Sequence, residues 1–429
     1  MATSTIEVKY GTSGLRVEIP TGNLLGILTP SEPRLPPSEE EEIQRALDNP
    51  TGSPRLEDMA KPGMSVVIMA SDNTRPAPTH KLLPPLMDRL NKAGVQDSGI
   101  TIMFGMGIHR SHTAEEKKAL VGADIFRRCR CVDSTESGDF VQVGTTSRGT
   151  PVEVNRLVAE CDLLIATGNV EYHYFVGYSG GAKAVLPGAC SRRTVEANHS
   201  MQLLPGAETG SYEENPVRQD IEEAGRMVGL DFILNVVLDP GKRIVRAVAG
   251  HPVAAHEEAR KVTDAVYGVE IRKKADIVIA SAGGRPKDMN LYQAQKGLEN
   301  AKYAVRDGGV IILTAECPEG LGEANFERYM TGMGLDEIIE SVRRKFVLGA
   351  HKAAAVARVL KKADVYLVSA MDKATVERCR LLPFATLDDA LDRAFSVLGS
   401  DATVWVMPYA GSTVPRYRPR TNTCEALPG

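Results

Sequence analysis

From the N-terminus to about Leu28, apolar and polar positions alternate around Gly11 and Gly14, the period-two pattern of short strands. A proline-rich acidic segment follows. Pro36 and Pro37 keep its start extended, and Ser38 ahead of EEEEIQRAL predicts an N-capped helix with carboxylates at its positive end. Beyond it, blocks of β-branched and other apolar residues predict strands: SVVIMA (Ser65 to Ala70), ITIMF (Ile100 to Phe104), DLLIAT (Asp162 to Thr167), FILNVVL (Phe232 to Leu238), DIVIAS (Asp276 to Ser281), VIILTA (Val310 to Ala315) and DVYLVS (Asp364 to Ser369). Runs apolar at nearly every position suit parallel strands covered on both faces. Amphipathic stretches fall between them: His80 to Lys92, Arg192 to Leu204, Pro216 to Val228, Val253 to Val266, Leu291 to Val305, Leu335 to Phe346 and Leu387 to Val397. Such alternation predicts two doubly wound α/β domains with the active site in the cleft between them.

Two domains also follow from the length of 429 residues, which exceeds the roughly 250 to 300 at which one core stops growing. The basic, non-periodic stretch from Gly268 to Lys274 precedes a fresh strand-helix series. The expected division is an N-terminal cofactor-binding domain over residues 1–270, completed by 402–429 through the apolar run TVWVM (Thr403 to Met407), and a C-terminal domain over 271–401. No internal repeat is visible.

Composition narrows the class. A 43% hydrophobic, 25% charged chain with a formal net charge of -4 has no basic surplus that would suit nucleic acid or a membrane surface. No apolar run approaches the ~18 residues that span a bilayer, and MATSTIEVKY lacks the blocks of a secretory signal, so a cytoplasmic protein is expected. The cysteines (Cys129, Cys131, Cys161, Cys190, Cys317, Cys379 and Cys424) are odd in number and scattered, as reduced thiols are.

Open α/β sheets bind ligands at the carboxyl ends of their strands, and three such ends carry ionisable groups. After SVVIMA come Asp72, Thr74 and Arg75: the first two suit a ribose or phosphate, and the guanidinium suits a carboxylate bidentately. After ITIMF come Gly105-Met106-Gly107-Ile108-His109-Arg110, a dinucleotide-like turn in which Arg110 replaces the third glycine, while His109 stands where a catalytic imidazole could be presented. His112, with Thr113, suits local capping. After DLLIAT comes the densest segment, with His173 and Ser179-Gly180-Gly181-Ala182-Lys183-Ala184-Val185-Leu186-Pro187-Gly188.

A Ser-Gly-Gly turn can lay N–H groups against a phosphate. Lys183 lies between alanines, without the hydroxyl of a P-loop, and suits covalent attachment through a desolvated amine. His199 has no second ligand at metal spacing, so any metal on it needs ligands from outside the protein. Gln293 and Lys296, three apart on one helix, can share a face, with Tyr292 beside them. His80, His251, His256 and His351 receive no role.

Taken together, Asp72-Asn73-Thr74-Arg75-Pro76, Gly107-Ile108-His109-Arg110, His173, the SGGAKAVLPG segment, His199 and the Tyr292-Gln293 to Lys296 cluster resemble the lactate racemase family. The resemblance implies a nickel-pincer nucleotide, a pyridinium mononucleotide gripping nickel through two sulfurs and a ring carbon, joined to Lys183 and loaded by cofactor-synthesis enzymes. It implies His199 as the nickel ligand from the protein and His109 and His173 as alternating acid and base at a small-molecule 2-hydroxy acid. Arg75, Gln293, Lys296 and Tyr292 would hold that substrate, and Asp72, Thr74, Ser179, Gly180 and Gly181 the cofactor.

Lactate-acting members place a tryptophan in the pocket, whereas the one tryptophan here, Trp405, lies inside TVWVM. The implied enzyme is therefore a racemase or epimerase of some 2-hydroxy acid, not of lactate by default. The alternatives are an NAD-type dehydrogenase, from the Gly105 and Gly107 turn, and a non-catalytic carrier of the nickel nucleotide.

Overall fold

The computed structural model describes residues 2–107 and 109–419. Ile108, Cys424 and residues 420–429 of the expected domain completion lie outside them. Contacts divide the chain into two compact units, Glu32–Val266 and a second made by its two ends, to Ser31 and from Tyr267 onward.

In the first unit six strands form one sheet, in the order Ile244–Gly250, Phe232–Leu238, Leu163–Asn169, Val66–Ser71, Ile100–Gly105 and Arg130–Asp133. All neighbours run parallel except the edge strand Ile244–Gly250, which pairs antiparallel with Phe232–Leu238. The expected apolar runs are its central strands, and Ile68, Ile102 and Ile165 are fully buried in one core. Helix Glu39–Asp48 starts as its sequence predicts, with the Ser38 hydroxyl accepting from Glu41 N, a cap worth about 1 kcal/mol. Its Glu39 and Glu42 then accept from Ile244 N and Ala247 N, so the acidic helix covers the edge strand's donors.

The second unit holds an all-parallel sheet in the order Leu382–Phe384, Asp364–Val368, Val305–Thr314, Ala275–Ser281, Val404–Met407 and Leu24–Ile27. Its core joins Ile277, Ile312 and Val404 to Ile6 and Ile19 of the N-terminal hairpin Thr3–Tyr10 and Ser13–Pro20.

This corrects the expected division. Val404–Met407 does not complete the first unit but pairs with Ala275–Ser281 and Leu24–Ile27, which places both chain ends in the second unit. The stretch Gly268–Ile271 is itself a strand, paired with Val414–Tyr417. Trp405 donates its indole N–H to Lys273 O at 2.9 Å and covers Gly26, where a Cβ would stand 2.9 Å from the ring. Both contacts are structural.

The six cysteines among the described residues are free, and no helix among those residues is long and apolar enough to cross a membrane.

Candidate active site

Strands Leu163–Asn169, Val66–Ser71 and Ile100–Gly105 are neighbours in the sheet, so the segments leaving their carboxyl ends meet. Asp72 is the first residue past its strand and is only 2% exposed. Its Oδ2 pairs with His109 Nδ1, and its Oδ1 accepts from the Thr74 hydroxyl at 2.7 Å and the Thr74 N–H at 3.2 Å. Burial alone would raise the Asp72 pKa, but bonds from His109 and Thr74 and the charges of His109 and Arg75 hold it below the ordinary carboxylate range. Asp72 and Thr74, expected on the cofactor, are thus committed to each other and to His109. Arg75 is exposed and makes no ion pair among the described residues.

His112 is not a cap. It is buried, with Nδ1 on Asp133 Oδ1 at 2.8 Å and Nε2 accepting from Asn73 N at 3.2 Å, and so ties the Asp72 loop to the strand Arg130–Asp133. Capping falls to Thr113, in a reciprocal box with Glu116. The dinucleotide-like turn is likewise occupied by protein. Gly107 N donates to Gly188 O at 3.2 Å, and a Cβ on Gly105 would stand 3.1 Å from Gly188 Cα. These glycines let the His109 loop pack against the segment that carries Lys183, which removes the basis of the dehydrogenase reading.

That segment begins with the two-stranded hairpin Tyr172–His173 and Gly177–Tyr178, whose tyrosine hydroxyls each donate to Asp264 Oδ1 at 2.7 Å. His173 Nδ1 accepts from Val176 N at 3.3 Å, and its ring meets Phe175 edge-on, which in turn meets His199. The two histidines therefore flank one phenylalanine.

The Ser-Gly-Gly turn departs from expectation. Ser179 Oγ donates to Asn169 O at 2.9 Å, and Gly181 N donates to Asn235 Oδ1 at 2.8 Å. Arg218, fully buried and paired with Glu222, donates to Tyr178 O and Gly180 O, and His256 Nε2 donates to Ser179 O at 2.8 Å. Gly181 has φ +60°, and a Cβ there would lie 2.9 Å from Arg218 Nη2 and 3.1 Å from His256 Cδ2. The glycines fit this turn over a protein clamp, and the Ser179 hydroxyl and Gly181 N–H are turned inward. Gly181→Ala is accordingly expected to cost about 2 kcal/mol, read as a lower urea midpoint at unchanged slope.

Lys183 rides on the one-turn helix Gly181–Ala184 that follows. Part of its side chain reaches solvent, but protein crowds its amine. Desolvation first, then the charges of Arg75 and Arg218, push its pKa well below the ordinary lysine value, with Glu171 and Asp72 opposing.

His199, near the end of helix Arg192–Ser200, has Nδ1 3.0 Å from Asn198 Oδ1. The Asn198 amide nitrogen donates to Val217 O and Asp220 Oδ2, so its oxygen must be the acceptor for His199. The neutral imidazole then carries its proton on Nδ1 and its lone pair on Nε2, the form that binds a metal. Among the described residues no three His, Cys, Asp or Glu side chains are grouped to hold a metal ion. Tyr292, Gln293 and Lys296 lie in the other unit on helix Leu291–Ala301, capped by Asn290 through Gln293 N.

Sequence reading passed over Arg218, His256 and Asn235. Asn235 left a signal, as the one polar residue within the strand Phe232–Leu238, all of it buried.

Comparison with known proteins shows the family. The lactate racemase N-terminal domain matches residues 10–210, and the lactate racemase C-terminal domain matches 270–414. A lactate racemase of Thermoanaerobacterium thermosaccharolyticum is 36% identical over 96% of this chain and 99% of its own. One from Lactiplantibacillus plantarum is 36% identical over 86% and 89%. The apoprotein structure of the former superposes with a TM-score of 0.87, covering 96% of this chain and all of that one. A Thermotoga maritima protein at 20% identity and TM-score 0.62, covering 91% of this chain and all of its own, shares the fold. The chain belongs to the lactate racemase family and is an isomerase.

Proposed function

We propose that this isomerase interconverts the C2 configurations of a 2-hydroxy acid, with a nickel-pincer nucleotide carried on Lys183. The observation that carries the reading is a crowded, cation-flanked lysine within the field of the buried Asp72, whose carboxylate pairs with the more exposed His109. The residues fit the group. A depressed pKa favours the neutral, nucleophilic amine that amide or thioamide formation requires. The lone pair on His199 Nε2 suits one metal position, the remaining ligands coming from the nucleotide.

When bound, the nucleotide supplies a reversible hydride acceptor for C2, so inversion passes through a planar 2-oxo acid instead of a carbanion beside a carboxylate. The chain's own residues do the rest. Arg75 holds the carboxylate and fixes which atoms face the reacting carbon. One imidazole takes the hydroxyl proton as C2 is oxidised, and the other returns a proton when C2 is reduced from the opposite face. Asp72, charged and buried, orients His109 and stabilises the imidazolium that forms.

The test is loss of C2 deuterium from a panel of 2-hydroxy acids, with protein produced alongside the cofactor-synthesis enzymes. Exchange together with inversion of at least one member is expected. Full retention of deuterium by the loaded protein would leave only the carrier reading.

A further inference from the structure

Helix Pro216–Val228 touches both segments that carry the cofactor anchors. Successive residues turn by about 100° on a helix, so Arg218 and Gly225 share one side and Asp220 lies on the other. On the first side Arg218 donates to Tyr178 O and Gly180 O, and a Cβ on Gly225 would stand 2.7 Å from the Cβ of Ala182, next to Lys183. On the other side Asp220 Oδ2 accepts from Asn198 Nδ2 at 2.8 Å, one residue before His199.

Asp220 and Asn198 are fully buried, and Asp220 makes no ion pair among the described residues. Its Oδ1 accepts from the Thr146 hydroxyl, whose oxygen in turn accepts from Thr150 N at 3.1 Å. A buried carboxylate without an ion pair is costly, and what this one supplies is an acceptor on each side. The Asn198 amide is thereby fixed in one sense. Its nitrogen donates to Asp220 Oδ2 and, at 3.1 Å, to Val217 O, so a flipped amide would set its oxygen against two acceptors. The oxygen therefore faces His199 Nδ1, 3.0 Å away, and only a ring protonated there can donate to it. In the neutral ring the lone pair is then on Nε2, and the partner that orients the ring is itself held from turning.

Resting on the nickel-nucleotide reading, the geometry points to Asn198, braced by Asp220, as the positioning residue that keeps His199 in its metal-binding form. Partners behind a ligand change metal affinity by about 10- to 100-fold. Asn198→Leu keeps the branched shape without an acceptor. It is expected to weaken nickel retention at least ~10-fold in chelator competition, with the Lys183 adduct at wild-type mass and yield. Asp220→Asn, which leaves Val217 O to orient the amide, should fall between. Nitrogen NMR of the unloaded full-length chain with isotope-labelled histidines, at mildly alkaline pH, gives a second measurement. The His199 signal, assigned by its loss in His199→Gln, should show protonation at Nδ1 in the wild type and a mixture of tautomers in Asn198→Leu. Should Asn198→Leu melt too low to isolate, the double variant Asn198→Leu with Asp220→Leu removes amide and carboxylate together and carries the same test.

Wild-type nickel retention without the Asn198 amide, or an unchanged His199 signal, would overturn the positioning role. Loss of the adduct together with the nickel would overturn it too, by showing a general collapse of the site. A chain that takes up no nucleotide in any form would refute the cofactor reading instead, and the tautomer measurement on unloaded protein would tell the two failures apart.

Discussion

Lys183→Ala is expected to yield protein with no nucleotide-sized mass adduct and with racemisation reduced at least ~10⁴-fold, to background. Intact mass after production with the cofactor-synthesis enzymes checks the first part and C2 exchange the second; an adduct persisting in the variant would refute the attachment site. The size follows from the role: a tethering amine has no substitute, since losing it removes the hydride acceptor and with it the whole pathway. Lys183→Arg should fail equally, because a guanidinium stays charged and offers no nucleophile.

A structural lysine would behave differently. Removing Lys183 is not expected to lower stability, because its native setting disfavours the ammonium. The unfolded chain binds that proton up to about pH 10.5, whereas the native chain releases it at lower pH. Between those values the unfolded state holds more protons, so wild-type stability rises with pH relative to Lys183→Met. Chemical denaturation across that window should show the slope in the wild type and not in the variant.

The elements that sequence foretold are those specified locally. Ser38 with its following acids sets a helix start, and apolar runs such as SVVIMA mark central parallel strands whatever their neighbours. Partner choice is not local. TVWVM is a strand in either unit by pattern, and its pairings with Ala275–Ser281 and with Leu24–Ile27, the latter some 380 residues away, assign it. The helix Ala350–Leu360 went unread because its alanine-rich sequence has no contrast between faces.

The site divides the same way. Strand ends pointed to Asp72, His109 and Lys183, since a sheet directs ligands there. What each side chain touches depends on contacts across tens of residues. Asp72 and Thr74 serve His109, and Gly181 lies on Arg218 and His256, relations that spacing does not encode.

His109→Ala and His173→Ala should each lower racemisation about 10³-fold or more in both directions while the adduct on Lys183 and the bound nickel stay at wild-type level. The symmetry is the informative part. A full inversion removes a hydroxyl proton on one side of C2 and restores one on the other, so by microscopic reversibility every turnover uses both imidazoles, whichever enantiomer is supplied. A histidine that merely shaped the pocket would raise KM and leave kcat; one that acts on the proton lowers kcat with the substrate still bound.

Asp72→Asn should fall between. It keeps the hydrogen bond to His109 but loses the buried negative charge that stabilises the imidazolium, so kcat should drop about 10²-fold with little change in KM. Loss of nickel in His109→Ala or His173→Ala would show them to be ligands instead. Such a loss belongs to His199, whose Nδ1 pairs with Asn198 and whose Nε2 is the proposed metal ligand. His199→Ala should therefore shed nickel while Lys183 keeps its adduct, separating the two anchors of one cofactor by mass and by metal content.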